Sequence, residues 1–179
     1  VGFATAVNVV TEALDRLQPT AASHHRIMIL EVMGRDTGHI ALNGGIAGGA
    51  DVILVPELPY SIAGVARRVK ELLAEGRTHA LMVVAEGVRT ESGARATVPD
   101  ASGKCYGGIG HYLMDRLAPL TNVETRVTIL GHVQRGGTPS PRDRLLASAF
   151  GVHAVQMVAH GRFAHMTAWH NRGVIEVPL

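Results

Sequence analysis

The strongest constraint on the fold is a set of four unbroken apolar runs: "RIMILEV" (26–32), "DVILVP" (51–56), "HALMVVAEG" (79–87) and "ETRVTILGH" (124–132). None alternates as a strand with one wet face does. A strand apolar at nearly every position is covered on both sides, and such strands belong to parallel sheets whose crossovers are helices. The segments between the runs fit that requirement. Ala6, Val9, Val10, Ala13, Leu14 and Leu17 recur at helical spacing, and the pattern is expected to stop at Pro19. Residues 36–50 read as a small-residue helix with Asp36 near its start, 61–75 as an amphipathic helix, 106–118 as a further helix and 141–161 as a long one. Residues 88–105 have no apolar period and read as a loop. The tail "HMTAWHNRGVIEVPL" reads as a hairpin turning at Asn171-Arg172-Gly173. The alternation defines an α/β class, with a parallel sheet as the middle of three α/β/α layers.

Composition narrows the partners. The chain has 179 residues, enough for one ordinary domain or one large lobe. With 46% hydrophobic and 18% charged residues it is core-forming. An aromatic content of 4% argues against a base-stacking surface, so no nucleic acid is expected. The formal charge of +2 demands no polyanion, and the cations matter only where they cluster. Cys105 is the single cysteine, which excludes a disulfide framework and fits a reduced, cytoplasmic setting. No apolar run is long enough for a membrane span, and the opening "VGFATAVNVV" lacks the basic region of a signal peptide. The chain opens without Met, inside a helical pattern, and is read as a piece of a longer protein.

In parallel sheets, ligands bind beyond the carboxyl ends of the strands. Met33-Gly34-Arg35 follow the first run, Pro56-Glu57 the second, Glu86-Gly87 the third, and His132, Arg135 and Gly136-Gly137 the fourth. If these strands are neighbours, one edge gathers cations, carboxylates and glycines. Arginine offers a bidentate fork for phosphate, and glycine lets backbone amides approach an anion. Glu86 could accept from hydroxyls. The set suits a phosphorylated, hydroxyl-rich small molecule. Each residue also has a plainer reading: Arg35 as surface charge, Glu57 as a loop-solvating residue (favoured there), His132 as a core histidine, Asp143 as a helix cap or ion pair. Arg26 and Arg126 open the first and fourth strands. A strand of this length spans roughly 17–20 Å, so they belong to the opposite edge. There they are structural or serve a neighbouring subunit. "GGIAGGA" (44–50) lies within a helix pattern and reads as close helix packing; "GGIG" (107–110) follows a loop and makes a poor phosphate loop. The ten histidines show no metal-ligand spacing, and no metal-binding residue is expected in this chain.

The ordered motifs Ala22-Ser23-His24-His25-Arg26, "EVMGR" (31–35), "AGGAD" (47–51), "AEG" (85–87), "ETR" (124–126) and "LGHVQRGGTPSPRDRLLAS" (130–148) resemble the 6-phosphofructokinase family. The resemblance runs from the first helix almost to the end. It implies a Rossmann-like sugar-phosphate lobe over 1–140, and a helix and hairpin over 141–179 returning toward a nucleotide-binding half. It implies that Met33, Gly34 and Arg35 contact the sugar phosphate, with Arg35 as the catalytic arginine on the transferring phosphoryl group. Glu86 would bind sugar hydroxyls, and His132 and Arg135 the 6-phosphate. Arg26 and Arg126 would serve the adjacent subunit of a homodimer or homotetramer. The family's "GGD" loop and "TIDND" segment, with its catalytic and magnesium-binding aspartates, do not occur here. Mg2+ ligands are therefore expected upstream, and the chain alone is expected to be inactive. The run "DTGHIALNGGIAGGADVILVPE" resembles the bacterial branch holding both ATP and pyrophosphate users; ATP is the preferred donor, with pyrophosphate the alternative. Gln18, Glu75 and Arg77 replace the usual basic residues of the family's effector site, while Asp51 keeps its acidic one. Competing readings are a sugar-phosphate-binding module without transfer activity, and a regulator on the same scaffold.

Overall fold

A computed structural model describes residues 2–100, 103–106 and 108–179, with side chains described outside 97–107. The chain forms two compact units, one of residues 6–137 and one of residues 1–5 with 138–179.

The larger unit is built on four parallel strands: β1 (Ile27–Val32), β2 (Val52–Leu54), β3 (Ala80–Ala85) and β6 (Thr125–Ile129), in the order β2-β3-β1-β6. All six residues of β1 and of β3 are buried, as expected for strands covered on both faces. Met28 packs with Ala21 of α1 (Phe3–His24), whereas Glu31 reaches the N-terminus of α4 (Ile109–Thr121). Three positions apart on one strand, these residues point to opposite faces. The sheet is thus the middle layer that the apolar runs require. The remaining helices of the unit are α2 (His39–Ala47) and α3 (Ile62–Ala74), the latter capped by Ser61, whose Oγ accepts from the Gly64 amide at 3.1 Å. Gly44 and Gly48 of the α2 region lie where a Cβ would meet Val10 and Leu14 at 2.5 and 2.4 Å, and Gly45 where it would meet Ile53 at 2.7 Å. The glycine run is close packing, as read from the sequence.

Two local expectations fail. The first helix does not stop at Pro19 but continues through it to His24. An interior proline costs about 3 kcal/mol, yet the turn beyond it buries Ala21 completely against Met28 and Leu81. Tertiary packing overrides the breaker. The stretch 88–105 is not a plain loop: β4 (Thr97–Asp100) and β5 (Gly103–Tyr106) pair antiparallel, and Arg89 bridges Arg95. With four residues each and no continuous apolar run, these strands carry little periodic signal.

In the smaller unit, α5 (Pro141–Ala159) precedes the hairpin β7 (His165–His170) and β8 (Gly173–Pro178). The turn falls where the sequence placed it. Asn171 and Arg172 have φ of 47° and 64°, the two positive angles of a primed two-residue turn. Asp143 accepts from the Thr5 amide at 2.8 Å and from the Thr5 hydroxyl, while Ser140 Oγ caps the helix by accepting from the Asp143 amide at 3.2 Å. The cap of this helix is therefore Ser140 rather than Asp143, and the ion-pair reading of Asp143 also gives way to the Thr5 contacts.

Candidate functional site at the carboxyl ends of three strands

Because β1 lies between β3 and β6, three of the residue groups found by sequence meet at one edge. Val32 is level with Ala85, and Glu31 with Ile129. Glu86-Gly87, Met33-Gly34-Arg35 and the β6 extension therefore stand side by side. That extension is a short 3-10 helix, Gly131–Arg135, which sequence periodicity did not reveal. Gly131, at φ 51°, makes the reversal into it. Such a helix eclipses positions i and i+3, which puts His132 and Arg135 together on its outer side. His132 is exposed, so the core-histidine reading falls away. Arg35 and Arg135 are exposed too, and among the described residues neither they nor His132 make a side-chain hydrogen bond or ion pair.

The turn after β1 is held by side chains from both neighbouring strand ends. Glu86 Oε1 accepts from the amides of Gly34 at 3.0 Å and Arg35 at 2.9 Å. Gln134 Oε1 accepts from the Met33 amide at 3.0 Å, and its Nε2 donates to the Met33 carbonyl at 3.4 Å. Arg35 has φ 52°, a left-handed conformation that costs a non-glycine residue about 1–2 kcal/mol. The two bonds to Glu86 offset that strain. Gly87 must lack a side chain, since a Cβ there would sit 1.9 Å from the Arg35 carbonyl oxygen. The amides of Gly34 and Arg35 thus face Glu86, and Glu86 Oε2 and the Arg35 guanidinium have no hydrogen-bond partner among the described residues.

Two carboxylates near this edge serve the scaffold. Glu57 accepts from the Gly38 amide at 2.8 and 3.1 Å, at the start of α2. It is a helix-end acceptor rather than a loop-solvating group, and that bond holds its carboxyl below the usual range. Glu31 was overlooked in the sequence because it lies inside an apolar run. It is 2% exposed, and its two oxygens accept from the amides of Gly108 at 3.1 Å and Gly110 at 2.8 Å. The described part of "GGIG" is therefore occupied by this carboxylate; Gly107 lies outside the described residues. Burial raises the Glu31 carboxyl above 4.5, the bonds to Gly110 and Gly108 pull it back in part, and the charge of Glu86 raises it. Folded Glu31 holds its proton more tightly than unfolded Glu31. Its stabilising contribution is full below about pH 4.5 and is lost as pH rises through the folded-state value. The stability of the protein relative to Glu31→Gln is expected to fall as pH climbs from 4.5 toward neutrality, read from urea midpoints. A pH-independent difference would remove the buried carboxylate as the cause.

Arg26 and Arg126 lie at the other end of the sheet. Arg26 directly precedes β1, and Arg126 pairs in register with Met28. Arg26 Nε donates to Glu124 at 2.7 Å, and Arg126 pairs with the same carboxylate. Glu124 is held below its usual range, first by the bond from Arg26. The structure brings these two arginines together and keeps them away from Arg35, His132 and Arg135. Asp51 is also engaged, accepting from the Leu81 amide at 2.9 Å and pairing with Arg77 at 3.2 Å. Among the described residues no group of three His, Cys, Asp or Glu side chains is placed so as to hold a metal ion.

Fold and strand-end chemistry together define a parallel α/β lobe that presents free cations beyond the carboxyl ends of adjacent strands. The family model for phosphofructokinase matches residues 1–158. The chain belongs to the phosphofructokinase family. It is 57% identical over 180 residues to ATP-dependent 6-phosphofructokinase 1 of Synechocystis sp., covering 100% of this chain and 50% of that protein. To the ATP-dependent 6-phosphofructokinase of Chloroflexus aurantiacus it is 51% identical, covering 99% and 49%. The chain thus spans about half the length of these relatives. The structure of phosphofructokinase from Saccharomyces cerevisiae superposes with a TM-score of 0.81 at 32% identity, over 98% of this chain and 23% of that one. A pyrophosphate-dependent phosphofructokinase from Marinobacter aquaeolei shares the fold, with a TM-score of 0.75 at 24% identity over 97% and 45%.

Proposed function

We propose that this chain is the sugar-phosphate-binding half of a 6-phosphofructokinase. The longer protein transfers the terminal phosphoryl group of ATP to the 1-hydroxyl of fructose 6-phosphate, releasing fructose 1,6-bisphosphate and ADP, a step of glycolysis. The observation that carries this reading is that Arg35, Arg135 and the His132 imidazole are exposed on adjacent strand ends with no side-chain partner among the described residues, beside a carboxylate with one oxygen uncommitted there. His132 and Arg135 take the 6-phosphate, Glu86 Oε2 accepts from a sugar hydroxyl, and Met33 and Gly34 line the turn. Arg35 faces the transferring group, where a fixed cation stabilises charge that develops only in the transition state.

Arg26 and Arg126, across the sheet, serve the neighbouring subunit of a homodimer or homotetramer. A symmetric assembly gives every subunit both a donor and an acceptor edge. ATP is the donor favoured by the names of the relatives at 57% and 51% identity. Mg2+ and the nucleotide are held outside these 179 residues, with 1–140 as the sugar-phosphate lobe and 141–179 returning toward the nucleotide-binding half. The transfer itself belongs to the longer protein, in a cytoplasmic setting. No helix among the described residues is long and apolar enough to cross a membrane.

The test is calorimetric titration of fructose 6-phosphate into the chain and into Arg135→Ala. Saturable binding that disappears in the variant is the expected result. Equal binding by both would remove Arg135 from the phosphate site. No binding by a folded chain would place the affinity in the complete protein, where the same pair is then compared.

A further inference from the structure

Gln134 stands out within the 3-10 helix. His132 and Arg135 are exposed and Val133 is 70% exposed, yet Gln134 between them is only 1% exposed. Burying a carboxamide is unfavourable unless both its ends are bonded, and a methionine of similar length would fill the space without that cost. Both ends are bonded here, and to one residue: Oε1 accepts from the Met33 amide and Nε2 donates to the Met33 carbonyl. The next two amides, those of Gly34 and Arg35, donate to Glu86. Three successive backbone N–H groups are therefore satisfied by side chains rather than by the ladder of the sheet. Two neighbouring strand ends supply those side chains.

We propose that Gln134 is a positioning residue. It clasps the Met33 peptide from the β6 extension while Glu86 clasps Gly34 and Arg35 from the end of β3, so the turn carrying Arg35 is set before a ligand arrives. The inference rests on the reading of this edge as the sugar-phosphate site and names what fixes its geometry. Gln134 also ties the backbone bearing His132 and Arg135 to the turn bearing Arg35. The cations from the two strand ends are thereby held at one spacing, and the ordering is completed on folding rather than at the moment of binding.

The first measurement needs no variant. Amide hydrogen exchange on the unliganded protein is expected to show Met33, Gly34 and Arg35 protected by more than about tenfold over an open loop. Loop-like exchange at Met33 that slows only when fructose 6-phosphate is added would overturn the proposal, because the turn would then be ordered by the ligand. The second uses Gln134→Met in the complete enzyme. Because the clasp fixes both Arg35 and the spacing to His132 and Arg135, kcat is expected to fall and the fructose 6-phosphate KM to rise, each about tenfold, with the KM of the phosphoryl donor and the unfolding midpoint little changed. A lowered midpoint with unaltered kcat and KM would make Gln134 a stability residue only and refute the positioning role. If the unmodified enzyme neither binds nor phosphorylates fructose 6-phosphate, the functional reading falls, whereas the exchange pattern still decides whether the turn is preset. Should Gln134→Met not fold, the exchange measurement decides alone.

Discussion

Arg35→Ala in the complete enzyme is expected to lower kcat about 10²- to 10³-fold while changing the fructose 6-phosphate KM far less. The turn that carries Arg35 is held through its backbone, by bonds of 2.9 and 3.0 Å to Glu86. Removing the guanidinium therefore leaves the scaffold in place. On the proposed function, what is lost is a charge facing the transferring phosphoryl group, and such a charge acts mainly on the transition state. A variant with normal kcat and only a raised KM would assign Arg35 to ground-state binding. The same variant also tests the trans arrangement. Arg126→Ala removes a cation from the opposite edge of the sheet, where it shares Glu124 with Arg26. Inactive Arg35→Ala and Arg126→Ala subunits, mixed and reassembled, are expected to recover activity, because one kind of shared site then carries both lesions and the other carries neither. Verified hetero-oligomers without activity would argue that each site is built from one chain.

Gly87→Ala is expected to destabilise the chain by about 1–3 kcal/mol and to abolish fructose 6-phosphate binding. The added methyl would lie 1.9 Å from the Arg35 carbonyl oxygen, and a backbone atom cannot swing aside as a long side chain does. Relief requires the turn to move away from β3, which breaks both bonds to Glu86. Gly151→Ala is the control. It lies within α5 with open space around its would-be Cβ, so the substitution is expected to be neutral or to add up to about 1 kcal/mol. Denaturant midpoints and ligand titration read both. Equal behaviour of the two variants would show that close approach at Gly87 does not shape the site.

The alternation of apolar runs and helical patterns was legible because it is local. Each of the four parallel strands lies in an unbroken apolar run that the sequence displays, and the parallel class followed from their lack of alternation. The hairpin turn was legible for the same reason, since Asn171, a residue type that tolerates positive φ, marks its start between two strand-like runs. Failures came where local signals are weak or are overruled. Pro19 reads as a breaker, yet the helix continues because Ala21 is buried on Met28 and Leu81. The strands Thr97–Asp100 and Gly103–Tyr106 lack a continuous apolar run, so no pattern marks them. Glu31 was hidden in an apolar run whose carboxylate makes sense only against the amides of Gly108 and Gly110, almost eighty positions away.

The cationic end of the sheet follows the same division. Residue type and strand polarity placed Arg35, Glu86, His132 and Arg135 at one edge and Arg26 and Arg126 at the other, because a strand has a direction and a length that sequence alone conveys. Which of them stand together depends on the order β2-β3-β1-β6, and no local pattern encodes that order. The bonds that hold the Arg35 turn join residues 52 and 101 positions apart, from Gly34 to Glu86 and from Met33 to Gln134. Such contacts exist only once the sheet has formed, since its packing brings strand ends side by side that the chain itself keeps far apart.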